Sequence, residues 1–348
     1  MTLSAHSIDA IRKLGYSQTE AQFLYLVAIH SGYFTRSQFL RFTGQAKGGQ
    51  VHRFTTKTLE RQHARVFEYG RKTYIFNLFS RRIYGAIERE NLRNRRRLSN
   101  ELVHTRLLIL DFILGHLNHE YLETEAHKVA YFHRSLGIPV SALPGRIYKG
   151  LKSVSTTKRY FVDRSPIFLA PGTGPLSGSS VATFVYCDAA EKDLIGFISH
   201  LRNYENLLWR LPAFDFIYAS ATSERFVRAF KFFHSVFGQT GPSLVSEITR
   251  YFQVRQLWES HKTASLTRAD REFLRAGDLR YRGELFDSAY RRWSAGTLSE
   301  VELASILKSW KPTQTRNFST CVLPNTYAIF YRRSFSQMRP SLRSRWSP

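Results

Sequence analysis

Acidic residues and cysteine are both scarce in this chain. Only 27 Asp and Glu stand against 51 Lys and Arg over 348 residues, a formal excess of +24. The two cysteines, Cys187 and Cys321, exclude a disulfide framework and are too few for a cysteine-rich zinc site. They fit a reducing, cytoplasmic setting. No apolar run reaches the roughly eighteen residues of a membrane span, and the first sixteen residues lack the apolar stretch of a signal peptide. No P-loop and no Gly-x-Gly-x-x-Gly after a strand occurs, so neither an ATPase nor a dinucleotide site is expected. No internal repeat is visible. Disorder is excluded by what is present: 43% hydrophobic and 14% aromatic residues are enough for a sizeable core.

The charge is uneven. Residues 1–100 hold 18 Lys and Arg against 6 Asp and Glu, and residues 303–348 hold 8 basic residues and no acidic one. Solubility needs only a modest net charge of either sign. A polyanionic partner is therefore expected, nucleic acid ahead of a membrane surface or an acidic protein.

The N-terminal pattern is helical. Ala21, Leu24, Val27 and Ala28 recur at helical spacing in residues 17–31. Ser17 with Glu20 reads as a capping box, and Gly32 as the stop. Thr35 caps a second helix, SQFLRF, which ends near Gly44. After Gly48-Gly49 a third helix is expected from Gln50 to Arg61. Two alternating runs, ARVFEY and KTYIFNL, flank Gly70-Arg71 as a hairpin.

Three helices and a hairpin are the order of a winged helix-turn-helix domain, here residues 1–80, whose third helix fits the major groove. On this reading Gln50, Arg53, Thr56 and Lys57 contact the groove, with His52 beside them. Arg36, Arg61, Arg71 and Lys72 hold phosphates. Exposed polar residues on a small helical domain, with no ligand, are the alternative. The partner expected is double-stranded DNA, read by a possible homodimer, with no small-molecule ligand.

Residues 81–99 carry seven arginines and are expected to be a helical connector, either a DNA-backbone contact or a solvated rod. Residues 100–240 alternate helices and strands, as an α/β domain with a mixed sheet does. Residues 241–348 read as mainly helical with a basic tail; Thr267 and Ser299 are expected caps, and CVLPNTYAIFYRR a terminal strand or extended segment. The fold class is α+β and multidomain.

The strings EAQFLYLVAIHSGYFTRSQF and FTTKTLERQHARVF resemble the replication-relaxation family of bacterial plasmids and mobile elements, best over about residues 10–110. The resemblance implies an N-terminal winged helix, nucleoid-associated work in replication, relaxation or regulation, and a following restriction-endonuclease-like domain. In that pattern Glu101 and His104 match a Glu/His helix, and Val162-Asp163 stands at the Pro-Asp position. Tyr186-Cys187-Asp188 stands at the Glu-x-Asp/Lys position, and Tyr204 lies on the next helix.

Metal-dependent cleavage needs paired carboxylates and a nearby Lys. Glu101, Glu125, Asp163 and Asp188 are the candidates, with Asp163 and Asp188 on adjacent strands facing one cavity. Tyr186 takes an acidic position, however, and Lys192 falls beyond the strand. The motif is therefore read as degenerate, with no cofactor; an Mg²⁺-dependent nuclease using Asp163 and Asp188 is the alternative, and a basic protein-docking scaffold the third. No His-hydrophobe-His triplet of a relaxase is present. His116 and His119 are read as surface residues, and Cys187 as a small buried hydrophobe rather than a nucleophile.

Overall fold

The computed structural model describes residues 4–44, 49–69, 73–149, 156–171, 180–189, 193–237, 242–281, 283–309, 315–325 and 327. Its class is α+β. The chain begins with α1 (Ala5–Lys13) and α2 (Gln18–Leu26). The Ser17 hydroxyl accepts from the Glu20 amide while Glu20 accepts from the Ser17 amide, the expected capping box. One π-helical turn, Val27–Ser31, prolongs α2 to Gly32, which has φ 80°. Strand β1 (Tyr33–Thr35) follows, then α3 (Arg36–Thr43), opened by a Thr35/Gln38 box and closed by Gly44. Helix α4 spans Gly49–Glu60, and β2 (Ala64–Tyr69) and β3 (Thr73–Leu78) form the hairpin. The three strands make an antiparallel sheet in the order β1-β3-β2.

Phenylalanines fill the space between these helices and this sheet. Phe39 stacks on Phe54 at 4.1 Å and Phe34 on Phe76 at 5.1 Å, with Phe23 edge-on to Phe34, Phe39 and Phe54. Such pairs add about 0.5–1.5 kcal/mol each beyond area burial.

The connector departs from expectation. Residues 81–99 hold only α5 (Arg81–Ala86) and a 3₁₀ turn at Arg93–Arg95. A continuous helix would stack Arg89, Arg93 and Arg97 at i,i+4 spacing, where like charges repel. The buried Asn94 instead donates its amide to the Ala28 and Ile29 carbonyls and ties the segment to the π-turn.

Helix α6 (Asn100–Gly115) is buried along most of its length, between the N-terminal elements and a second sheet. That sheet has the order β10-β9-β8-β7-β4. Strands β4 (Glu120–Tyr121), β7 (Ile167–Pro171) and β8 (Ser180–Asp188) are antiparallel neighbours; β9 (Ala213–Ser220) and β10 (Thr315–Val322) run parallel to β8. Helix α7 (Glu125–Val129) and a separate hairpin, β5 (Gly145–Lys149) with β6 (Thr156–Tyr160), lie between β4 and β7. Helix α8 (Ile195–Leu208) crosses from β8 to β9, and α9 (Phe226–Phe237) follows β9. Phe184, Phe197, Phe214, Phe216 and Phe233 belong to the core under this sheet.

The C-terminal part is helical only in its middle. Helices α10 (Pro242–Glu259), α11 (Arg268–Arg280), α12 (Glu284–Ser294) and α13 (Glu300–Ser309) enclose their own core around Ile248, Tyr251, Phe252 and Leu303. The Thr267 cap is present, and the Ser299 hydroxyl accepts from the Glu302 amide as a cap does. The chain then returns as β10 to the edge of the second sheet, so residues 315–322 belong with the α/β part and the helices are inserted before them.

The two halves are not separate bodies. Val185, Cys187, Ala219 and Leu323 share one core with residues 8–114 of the N-terminal part. At the junction the Asp111 carboxylate accepts from Gln38, Arg41, Asn325 and Tyr327 at 3.0, 2.8, 3.3 and 2.8 Å.

Candidate nucleic-acid interface

Helix α4 has two faces. Phe54, Thr55 and Thr58 point inward and are fully buried; the Thr55 and Thr58 hydroxyls are satisfied by carbonyls one turn back. Opposite them, His52 and Arg53 are exposed and Gln50 and Thr56 half-buried. The Thr56 hydroxyl lies 3.2 Å from His52 Nδ1. This face offers a guanidinium, an amide, a hydroxyl and an imidazole, the donor and acceptor types that read base edges and phosphates.

The other expected cations of this region are used internally. Lys57 Nζ is 2.7 Å from Glu20 Oε2 and stands over the Tyr16 ring. Glu20 is thus both the cap partner of Ser17 and the counter-ion of Lys57. Arg61 donates to the Leu14 carbonyl and also lies over Tyr16. Tyr16 in turn is 2.8 Å from His63 Nδ1. Lys57 and Arg61, expected at the groove and at phosphates, thus also tie the end of α4 to the α1–α2 turn. Arg36 packs over Tyr74 and Phe76 on β3, with its Nε buried. Arg71 and Lys72 lie outside the described residues.

A second group of side chains surrounds a cavity of about 650 Å³ between α6, β5, β8 and α8. Arg93, Arg106, Arg146 and Arg164 line it, with Asp163 and His200. Asp163 Oδ2 is 3.0 Å from His200 Nδ1, and its other oxygen accepts from the Tyr204 hydroxyl at 3.0 Å and the Ser165 amide at 3.2 Å. Burial opposes ionisation of Asp163, but the His200 hydrogen bond and the charges of His200 and Lys128 outweigh it and hold the carboxyl well below the usual range.

The register Ile167↔Phe184 puts Asp163 and Asp188 at the same end of the β7–β8 pair. They do different things there. Asp163 faces the cavity. Asp188 is 6% exposed and accepts from the Tyr218 hydroxyl and from Arg225 at 3.2 Å, so it is turned toward β9 and α9. Glu101 is exposed in the first turn of α6, and Glu125 binds Arg159 and the Tyr160 amide. The expected convergence of Asp163 and Asp188 on one cavity is thus replaced by two separately partnered carboxylates. Among the described residues no three His, Cys, Asp or Glu side chains gather as a metal would need.

His116 and His119 stack at 5.9 Å, and His119 rests on Phe168. Cys187 is buried, and burial pushes its thiol well above the usual range. His200, Arg106 and Lys128 are functional-looking residues that sequence spacing does not bring together; three separate elements deliver them. Among the described residues no helix is long and apolar enough to cross a membrane. No family model matches this chain, and neither a curated protein nor a solved structure matches it.

Proposed function

We propose that this chain binds duplex DNA, that residues 1–80 act as a winged helix-turn-helix domain, and that α4 is the element that enters the major groove. The observation that carries this is the outward face of α4. Gln50, His52, Arg53 and Thr56 stand on a helix whose opposite face is sealed by Phe54, Thr55 and Thr58. The order helix, strand, two helices and hairpin supports it, as does the +24 charge. The resemblance of the N-terminal strings to replication-relaxation proteins suggests the setting: replication, relaxation or regulation of a bacterial mobile element. The second sheet, an antiparallel β4-β7-β8 run with a helical crossover to β9, is read as an endonuclease-like scaffold that adds backbone contact. A symmetric pair of copies would read half-sites about one helical turn, roughly 34 Å, apart.

Fluorescence anisotropy with a labelled duplex tests the reading. Affinity should fall linearly on a log–log plot as salt rises, with a slope of about 0.9 per phosphate contacted. Arg53→Ala should weaken binding by about 1–3 kcal/mol if Arg53 reads a base. An affinity unmoved by salt and by Arg53→Ala refutes it.

A further inference from the structure

Burying a charge is costly unless an opposite charge or a full set of hydrogen bonds replaces water. The cavity between α6 and α8 breaks that rule on one side only. Arg106, in the middle of α6, is 7% exposed. Its Nη1 is sealed from solvent and has no partner among the described residues. Arg164 donates to the Asn94 side chain, a neutral acceptor. Lys128, just behind the cavity wall and 5% exposed, donates to the Ser165 carbonyl at 2.8 Å, again a neutral acceptor. Arg93, over the Tyr148 ring, and the exposed Arg146 complete the rim.

Against four lining arginines the described residues of the cavity wall offer one carboxylate, Asp163. It is already engaged by His200, Tyr204 and the Ser165 amide. His200 uses Nδ1 on Asp163, and its Nε2 is buried beside the cavity with no partner among the described residues. Burial and the repulsion of Arg164 pull the Arg106 guanidinium down to about 9; burial, outweighing Asp163, pulls Lys128 down to about 8. The described residues surround this space with donors and supply too little negative charge to satisfy them.

We infer that the cavity is a binding site for a phosphate group, with Arg106 as its central ligand, Arg93, Arg146 and Arg164 around it and His200 Nε2 as a further donor. A singly charged carboxylate would leave the arginine cluster in excess. A phosphate monoester carries about −1.5 to −2 and three acceptor oxygens, and arginine forks match its geometry. The cavity volume, about 650 Å³, lies within the range of small-ligand sites, so a nucleoside can accompany the phosphate. The same chemistry is offered by the 5′-phosphate of a nucleic-acid strand and by free phosphate or a mononucleotide. The inference does not rest on α4 entering a groove.

The test is thermal unfolding of the full chain, titrated with inorganic phosphate, thymidine 5′-monophosphate, thymidine and a 5′-phosphorylated oligonucleotide at constant ionic strength. Phosphate-bearing probes should raise the midpoint in a saturable way, and thymidine and added chloride should not. A 5′-phosphorylated oligonucleotide acting at ten-fold lower concentration than both inorganic phosphate and the same oligonucleotide without its 5′-phosphate identifies a strand end as the source; potency equal to inorganic phosphate identifies free phosphate. Arg106→Met should abolish the response while leaving the phosphate-free midpoint unchanged or higher, because it removes an uncompensated buried charge; a merely structural Arg106 would lower it. Arg146→Ala, on the exposed rim, should weaken the response at least several-fold and covers the case in which Arg106→Met does not fold. Arg53→Ala should leave it intact. No phosphate-specific stabilisation, or a full response in both Arg106→Met and Arg146→Ala, overturns the inference.

Discussion

Two cations one turn apart on α4, Arg53 and Lys57, have opposite fates. Arg53 is exposed, and Lys57 closes an ion pair on the nearly buried Glu20. Lys57→Ala strands that carboxylate and should lower stability by about 1–3 kcal/mol in urea unfolding. Arg53→Ala should stay within about 0.5 kcal/mol of the parent. Composition and spacing put both on a polar helix face; only the third dimension shows that Glu20 reaches one of them. His30 is a similar case. Burial first, and then the charge of Lys128, push its imidazole down to about 3. The folded protein therefore keeps His30 neutral, while the unfolded chain takes up a proton below about 6.5. Stability must fall as pH drops from about 6.5 toward 3, by at most about 1.4 kcal/mol per pH unit for this group. His63, His119 and His127 are also shifted down. The acid limb of stability against pH should thus be shallower in His30→Gln but not flat; an unchanged limb contradicts the assignment.

At the scale of elements, the punctuation of the chain was legible. Ser17/Glu20, Thr35, Thr267, Gly32 and Gly44 mark ends because capping and left-handed turns are local chemistry. The hairpin of β2 and β3 was legible for the same reason. The π-turn after α2, the broken connector and the placement of β10 were not, because each depends on a distant partner. Gly32 shows how local and distant demands meet. Its φ of 80° favours glycine, and a Cβ there would lie 2.1 Å from the Asn94 carbonyl oxygen. Gly32→Ala should therefore cost more than the roughly 1–2 kcal/mol of the left-handed backbone alone, and it should detach residues 93–95 from the π-turn. Faster amide exchange in the peptide covering residues 89–97 checks this.

For the whole molecule, Asp111 is the joint. It accepts side chains from α3 and from residues 325 and 327, far apart in the chain. Asp111→Ala removes the carboxylate these side chains share and leaves Arg41 only the backbone carbonyl of residue 111, so it should destabilise by on the order of 3 kcal/mol in urea unfolding. If the two parts unfold as one in the parent, as their shared core implies, the variant should separate their transitions. The candidate site was half legible. The α4 face could be read from helical period, whereas the arginine cavity gathers residues 93, 106, 146, 164 and 200, which no spacing rule relates. Whether α4 lies against the duplex is read out by iron-chelate cleavage, from a chelate tethered at Arg53→Cys or at Val301→Cys on α13, with Cys321 replaced by serine in both. Strand cuts at the bound site are expected from position 53 and none from position 301. Cutting from 301, or intact binding with no cutting from 53, would contradict that placement of α4.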